Sequence, residues 1–131
     1  MSKFIPGKGR DFYLEQLGYL GKNDIEGMLR DHYHPEAVMV TFDGIRRGHD
    51  ELRNYFKNTL GSMGQITGLV TQYFAETEDT IIFKAAITDS KRGTVQADNT
   101  LYMKDGLIFR HIALTILPHY DYVKLGTLWH D

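Results

Sequence analysis

The order of elements in this 131-residue chain predicts an α+β fold, with helices in the first half and a curved antiparallel sheet that wraps around them. Three observations carry that expectation. Apolar residues recur at helical spacing through residues 9–33 and 50–60, then at strand spacing from about residue 65 onward. The later runs are joined by short polar links, Glu78-Asp79, Lys91-Arg92-Gly93 and Lys104-Asp105-Gly106, which suit antiparallel neighbours. The last link carries Asp-Gly between two β-rich runs, the strongest short hairpin signal.

Residues 1 to about 8 read as a lead-in broken by Pro6 and Gly7. A helix follows over about 9–22, with Tyr13, Leu17 and Leu20 on one stripe and Gly21 as its stop. Asn23, with Glu26 three residues on, reads as a capping-box variant opening a second helix. Its Ile25, Met28, Leu29, His32 and Tyr33 keep one helical face, and His34-Pro35 ends it because the residue before proline leaves the α region. Residues 37–42 are a β-branched strand turned by Asp43-Gly44, with a brief return at 45–47. A third helix over about 49–60 buries Leu52, Tyr55, Phe56 and Leu60, and Asp50 and Glu51 suit its first turn.

Four strands complete the chain, at about 65–78, 80–90, 94–104 and 107–117, and Pro118 stops the last. Ile108, Ile112, Leu114 and Ile116 alternate with Phe109, His111, Ala113 and Thr115, so this strand is apolar on both faces. Such a sheet needs two covers; the helices supply one, and a second subunit is the economical other, so a homodimer is expected. The tail, 119–131, carries Tyr120, Tyr122, Leu125, Leu128 and Trp129 and is too apolar to stand in water.

Composition narrows the function classes. The length fits one domain over 1–131, with a core at about 9–118. Net charge is −2 with Lys and Arg scattered, so no basic stripe for nucleic acid or an anionic membrane is present. The absence of cysteine removes disulfide and thiolate chemistry. No apolar run has the form of a signal peptide or reaches the roughly 20 residues of a spanning helix, which makes a cytoplasmic protein the default expectation.

The stretch Leu20-Gly21-Lys22-Asn23-Asp24-Ile25-Glu26-Gly27-Met28 resembles the nuclear transport factor 2-like superfamily. So do Gly44-Ile45-Arg46-Arg47-Gly48-His49-Asp50-Glu51-Leu52 and the late Ala97-Asp98 with Lys104-Asp105-Gly106-Leu107-Ile108-Phe109-Arg110. Within that superfamily the likeness, over about residues 10–116, is to SnoaL-like polyketide cyclases and ketosteroid isomerases. It implies a cone of curved, cystatin-like sheet closed by three helices, often homodimeric, around a small-molecule pocket. Members range from isomerases, cyclases and dehydratases to association modules, so the fold leaves the reaction open. By the same resemblance Asp98 falls where ketosteroid isomerases hold the aspartic acid of the oxyanion hole and near the acid/base of SnoaL-type cyclases. The isomerase general base would fall at Thr41, and its tyrosine at about Gln16, with Tyr13 one turn earlier. With two of three parts missing or displaced, ketosteroid isomerisation is disfavoured and a cyclase- or dehydratase-like proton transfer is left.

The residues themselves point the same way. Asp98 is the one acid in an otherwise nearly uncharged strand, on a face with Gln96, Thr100 and Tyr102. Under a helical cover, desolvation would tune it for acid–base work near neutral pH. His111 is its natural partner, with Tyr13 and Thr41 assisting. Gln16, Tyr33, Met39, Tyr55, Phe56 and Phe83 are expected to line the pocket, together with Thr100, Tyr102 and Phe109. That aromatic and methionine surface suits a flat apolar ligand bearing a carbonyl or hydroxyl group. His32-Tyr33-His34 does not put two imidazoles on one helical face, so no metal or other cofactor is expected. Gly-x-Ser-x-Gly and a phosphate-cradling Gly-rich loop are both missing. The expected function is a small-molecule-binding protein doing cofactor-independent acid–base chemistry as a lyase, isomerase or cyclase; the alternative is a non-catalytic ligand-binding or association module. A cavity of about 300 Å³ or more touching Asp98 separates the two.

Overall fold

Six strands pair in the order β2-β1-β6-β5-β4-β3 to form one sheet. In chain order the elements of this computed structural model are α1 (Gly9–Gly21), α2 (Ile25–His32), β1 (Tyr33–Thr41), β2 (Gly44–Arg47), α3 (Gly48–Ser62), β3 (Ile66–Glu76), β4 (Thr80–Asp89), β5 (Gly93–Lys104) and β6 (Leu107–Ile116). The structure describes residues 3–63, 66–91 and 93–116. The expected stop at Pro118 and the aromatic tail, 119–131, lie outside those residues. β3 to β6 are the antiparallel meander that the short links require. β1, hairpinned to β2, instead lies parallel to β6, so the sheet is mixed where an antiparallel one was expected. Short links report only on neighbours in sequence, and β1 and β6 are far apart in the chain.

Register shifts bend the sheet. They fall between Thr71 and Tyr73 in β3, between Tyr102 and Met103 in β5, and between Tyr33 and Val38 in β1. An unpaired residue at such a point increases local twist and curls the strand, giving the sheet its concave face. At the β5–β6 shift Met103 faces Ile108 and Tyr102 faces Arg110, so Phe109 has no opposite residue. The extra residue brings Ile108 onto the concave face with His111, whereas Ile112 and Leu114 stay outside; simple alternation had put Ile108 with them. The hairpin before it turns on Asp105 and Gly106 alone, with φ of 57° and 77°. Two left-handed residues make the type I′ turn whose twist matches the flanking strands.

The helices fill the concave side. Phe12 and Tyr13 of α1, Met28 and Leu29 of α2, and Leu52 and Phe56 of α3 are buried with Met39, Ile81, Phe83, Leu101 and Ile108 of the sheet. Val70, Tyr73, Ile82 and Tyr102 are left exposed. No described helix is long and apolar enough to cross a membrane.

The α1–α2 junction differs from the capping-box expectation. Asp24 N–H donates to Tyr19 O and Asn23 N–H to Leu20 O, with Asn23 at φ 56°. This is a Schellman closure, and Asn23 serves as the left-handed end of α1. The cap of α2 is Asp24, whose carboxylate accepts from Gly27 N–H at 3.0 Å. Glu26 pairs with Arg53 of α3.

The start of α1 has no cap from its own flank. Glu76, at the end of β3, supplies it: its carboxylate accepts from Gly9 N–H and Gly7 N–H at 3.1 Å. A side chain at position 9 would stand 2.7 Å from that carboxylate, so glycine is what lets it approach. Glu76→Ala is expected to cost about 1–2 kcal/mol, the range for losing a charged helix cap, measured by urea unfolding. An unchanged unfolding midpoint would contradict this role.

Candidate functional site

The helix-facing side of the sheet carries a line of polar side chains joined end to end. α1 contributes Glu15 and Gln16, the last residue of α2 is His32, the first of β1 is Tyr33, and β6 and β5 add His111 and Asn99. His32 Nε2 lies 2.8 Å from Glu15 Oε1, and its Nδ1 lies 2.7 Å from Gln16 Oε1. Gln16 Nε2 donates to Tyr33 Oη at 3.0 Å. Tyr33 Oη is 2.8 Å from His111 Nδ1, and His111 Nε2 is 2.7 Å from Asn99 Oδ1.

Local sequence explains each placement. The stripe that buries Ile25, Met28 and Leu29 carries His32 inward one turn later. The ring of Phe12 stacks on it with centroids 3.8 Å apart. Tyr33 leaves the helix in an extended conformation, so its side chain points into the core, edge-on to Phe56. His111 pairs in register with Leu101 on one side and Met39 on the other, both buried. Among the described residues, every buried side-chain N or O has a hydrogen-bond partner. The interior polar groups are therefore satisfied by one another, the condition under which a buried network is tolerated.

Burial fixes the protonation of the inner members. It depresses the His111 pKa to about 3 and raises that of the Tyr33 phenol, so both are neutral near pH 7. A neutral imidazole has one N–H. With Asn99 Oδ1 as acceptor, that proton is on His111 Nε2, and Nδ1 accepts from the Tyr33 hydroxyl.

Asn99 ends the line. Its Nδ2 donates to nothing among the described residues. It pairs in register with Phe83 and Ala113, and the next inward row is Ala97 between Ala85 and Thr115. The row of His111 and Leu101 is buried, Asn99 and Ala113 are half-buried, and Thr115 is exposed. Among the described residues, then, the concave face is closed at the His111–Leu101 row, half-buried at Asn99 and Ala113, buried again at Ala85 and Ala97, and exposed at Thr115.

Asp98 stands on the other side of the sheet. Val95, Ala97 and Leu101 are buried on the concave face, so strand alternation turns Gln96, Asp98, Thr100 and Tyr102 outward. Asp98 lies between Lys84 and Leu114 in register and accepts from Gln96 Nε2 at 2.9 Å. The closed apolar setting expected for it is absent, and Thr100 and Tyr102 are displaced from the pocket with it. Phe109, the bulged residue, sets its ring against His34, 5.1 Å away, outside the buried cluster.

The other expected residues divide. Gln16, Tyr33, Met39, Phe56 and Phe83 are gathered in or beside the polar line. Tyr13 is buried against Phe83, but its hydroxyl is 2.6 Å from Thr71 Oγ1 and not part of the line. Thr41 is held at the β1–β2 turn, its hydroxyl donating to Asp43 and accepting from Arg46. Tyr55 is half-buried under the Arg46 guanidinium. His32 and His34 diverge, and among the described residues no three His, Cys, Asp or Glu side chains gather as a metal site.

Two cavities open elsewhere. One of about 660 Å³ lies among the end of α1, the start of α2 and the end of α3, at Leu20, Ile25, Lys57 and Leu60. The other, about 500 Å³, lies between α3 and the β1–β2 hairpin at Arg46, Asn54, Tyr55 and Asn58. Neither touches Asp98, so the space required by its expected acid–base role is not supplied by them.

No protein-family model matches the chain, and no curated protein matches its sequence. Solved structures do. A candidate SnoaL-like polyketide cyclase from Jannaschia sp. CCS1 superposes with a TM-score of 0.74 at 12% identity, covering 94% of this chain and 92% of its own. An NTF2-like protein of unknown function from Cytophaga hutchinsonii gives 0.64 at 17%, covering 88% and 94%. TerC, co-crystallised with polyporic acid, gives 0.66 at 21%, covering 91% and 95%. At these identities the likeness is one of fold, and the fold is that of the nuclear transport factor 2-like proteins.

Proposed function

We propose, from the premise of a nuclear transport factor 2-like cone, that this protein binds an apolar small molecule and recognises one of its oxygens with the Asn99 amide. The observation that carries this is the half-buried Asn99, whose Nδ2 has no hydrogen-bond partner among the described residues. A ligand carbonyl there would accept from Nδ2, while Phe83, Ala97 and Ala113 offer apolar contact beside it. The co-crystallisation of TerC, a protein of the same fold, with polyporic acid supports a small-molecule reading. Binding is favoured over acid–base turnover because the expected acid, Asp98, lies across the sheet, and because His111, with its pKa near 3, is a weak base.

Asn99→Asp tests this with little disturbance, since one carboxylate oxygen can keep the His111 contact while the donor is lost. Aromatic ketones and quinones are expected to raise the melting temperature of the natural protein, as any ligand selective for the folded state does. The same probes should bind Asn99→Asp at least tenfold more weakly, the order of one hydrogen bond plus an unfavourable oxygen–oxygen contact. Equal affinity in the two proteins, or no stabilisation by any probe, would reject the reading.

A further inference from the structure

The hydrogen bonds of the polar line cannot be reversed one at a time. Gln16 Oε1 faces His32 Nδ1 and Asn99 Oδ1 faces His111 Nε2, so both amides demand a proton on the imidazole nitrogen they meet. With Nδ1–H of His32 spent on Gln16, its Nε2 still lies 2.8 Å from the Glu15 carboxylate. That contact needs a proton too, on either the imidazole or the carboxyl group. This orientation is therefore the form in which the Glu15–His32 pair holds one proton more than a neutral imidazole beside a carboxylate.

Removing that proton from the pair has a defined consequence. His32 keeps Nε2–H towards Glu15 and its Nδ1 becomes an acceptor. Gln16 must turn over to donate to it, and its oxygen then accepts from Tyr33 O–H. Tyr33 Oη in turn accepts from His111 Nδ1–H, and the bare Nε2 of His111 accepts from the Asn99 amide. Asn99 Oδ1, previously occupied, is then the atom left for the cone. Every bond survives, and every direction from His32 Nδ1 to Asn99 reverses, at the loss of a single proton.

We infer that the Glu15–His32 pair sets which atom of Asn99 meets the ligand, an N–H donor when the pair holds the extra proton and a carbonyl acceptor when it does not. This deepens the preceding proposal and rests on it: the protonated pair selects carbonyl or enolate oxygens, and the deprotonated pair selects hydroxyl groups. Glu15 and His32 are positioning residues, acting through Gln16, Tyr33 and His111. The other groups around His32 leave Glu15 as the carboxylate in contact. Tyr19 is edge-on at 5.2 Å and its phenol donates to Asp31 at 2.6 Å, while Asp31 is also paired with Arg30. Burial lowers the His32 pKa, with Glu15 opposing it, which puts the reversal on the acid side of an ordinary imidazole. The donor form of Asn99 therefore belongs to the acid side of that change and the acceptor form to neutral pH, and the ketone melting assay on Asn99 is run on the acid side.

Two-bond ¹H–¹⁵N spectra of the free protein read the protonated nitrogen of each histidine. The expected coupling is strict: a proton on His32 Nδ1 accompanies one on His111 Nε2, and a bare His32 Nδ1 accompanies a proton on His111 Nδ1. Any spectrum between pH 5 and 8 that breaks this pairing overturns the inference. Glu15 is half-exposed, so Glu15→Gln should leave the fold intact; it is expected to move the His111 change at least one pH unit lower, and an unmoved change also overturns it. These spectra need no ligand, so they fail or succeed separately from the melting assay on Asn99.

Discussion

Tyr33→Phe is expected to cost about 2–4 kcal/mol, far more than the few tenths typical of removing an exposed hydroxyl. The ring is buried and packed on Phe56, so phenylalanine would keep its place and only the oxygen would be lost. That oxygen serves two neighbours at once, Gln16 Nε2 at 3.0 Å and His111 Nδ1 at 2.8 Å. Gln16 and His111 are both buried, so neither gains water in exchange. Leaving a buried polar group unsatisfied costs about 1–3 kcal/mol, and here one change orphans two. In urea unfolding the midpoint should fall by about 1–2 M, given a slope of order 1–3 kcal/mol per M for a small domain. A loss below about 1 kcal/mol would mean that the two orphaned groups find other partners, and that the line is not the continuous unit described. Tyr33→Phe should also uncouple the tautomers of His32 and His111, because the relay passes through its hydroxyl.

The architecture was legible in the sequence because it is written in local signals. Helical spacing marks the three helices, Asp105-Gly106 marks the last hairpin, and short links mark the meander. What escaped was set by geometry between distant residues. The parallel β1–β6 pairing joins the two ends of the domain. The bulge at Phe109 exchanges the faces of Ile108 and the residues after it, and nothing in the sequence of β6 singles out that residue. The placement of Asp98 is more instructive. Gln96, Asp98, Thr100 and Tyr102 do share a face, as alternation requires, but the choice of which face lies inward was made for the acid. Ala97 and Leu101 decide it the other way: small and apolar side chains at alternate positions are the ones a helix can cover, and Asn99 stands between them. His111 shares its face with Ala113 and Thr115, but the bulge takes Phe109, expected with them, off it. Glu15 and His32 gave no motif, because their contact joins two helices at a crossing that only the fold creates.

Folding stability should decline as pH falls from 7 to 5, by about 2 kcal/mol from His111 alone. In the unfolded chain this imidazole titrates near 6.5, and in the folded protein burial holds it at about 3. Between those values the unfolded state binds more protons, so acid favours it; above the unfolded value the contribution to stability is complete. At pH 5 the gap is about 1.5 pH units, each worth about 1.4 kcal/mol. His32, also depressed, adds a loss of the same sign. The carboxylates with lowered pKa values, Asp31 and Asp43 at about 2, release their contribution only below the ordinary carboxylate range and leave this window to the imidazoles. His111→Gln isolates the effect, since its amide can donate to Asn99 and accept from Tyr33 without titrating. The substituted protein is expected to start less stable yet lose about 2 kcal/mol less between pH 7 and 5, measured by urea unfolding at each pH. Parallel losses in the two proteins would mean that His111 takes up its proton inside the fold without penalty, which a sealed interior lined by Met39, Leu101 and Tyr33 does not permit.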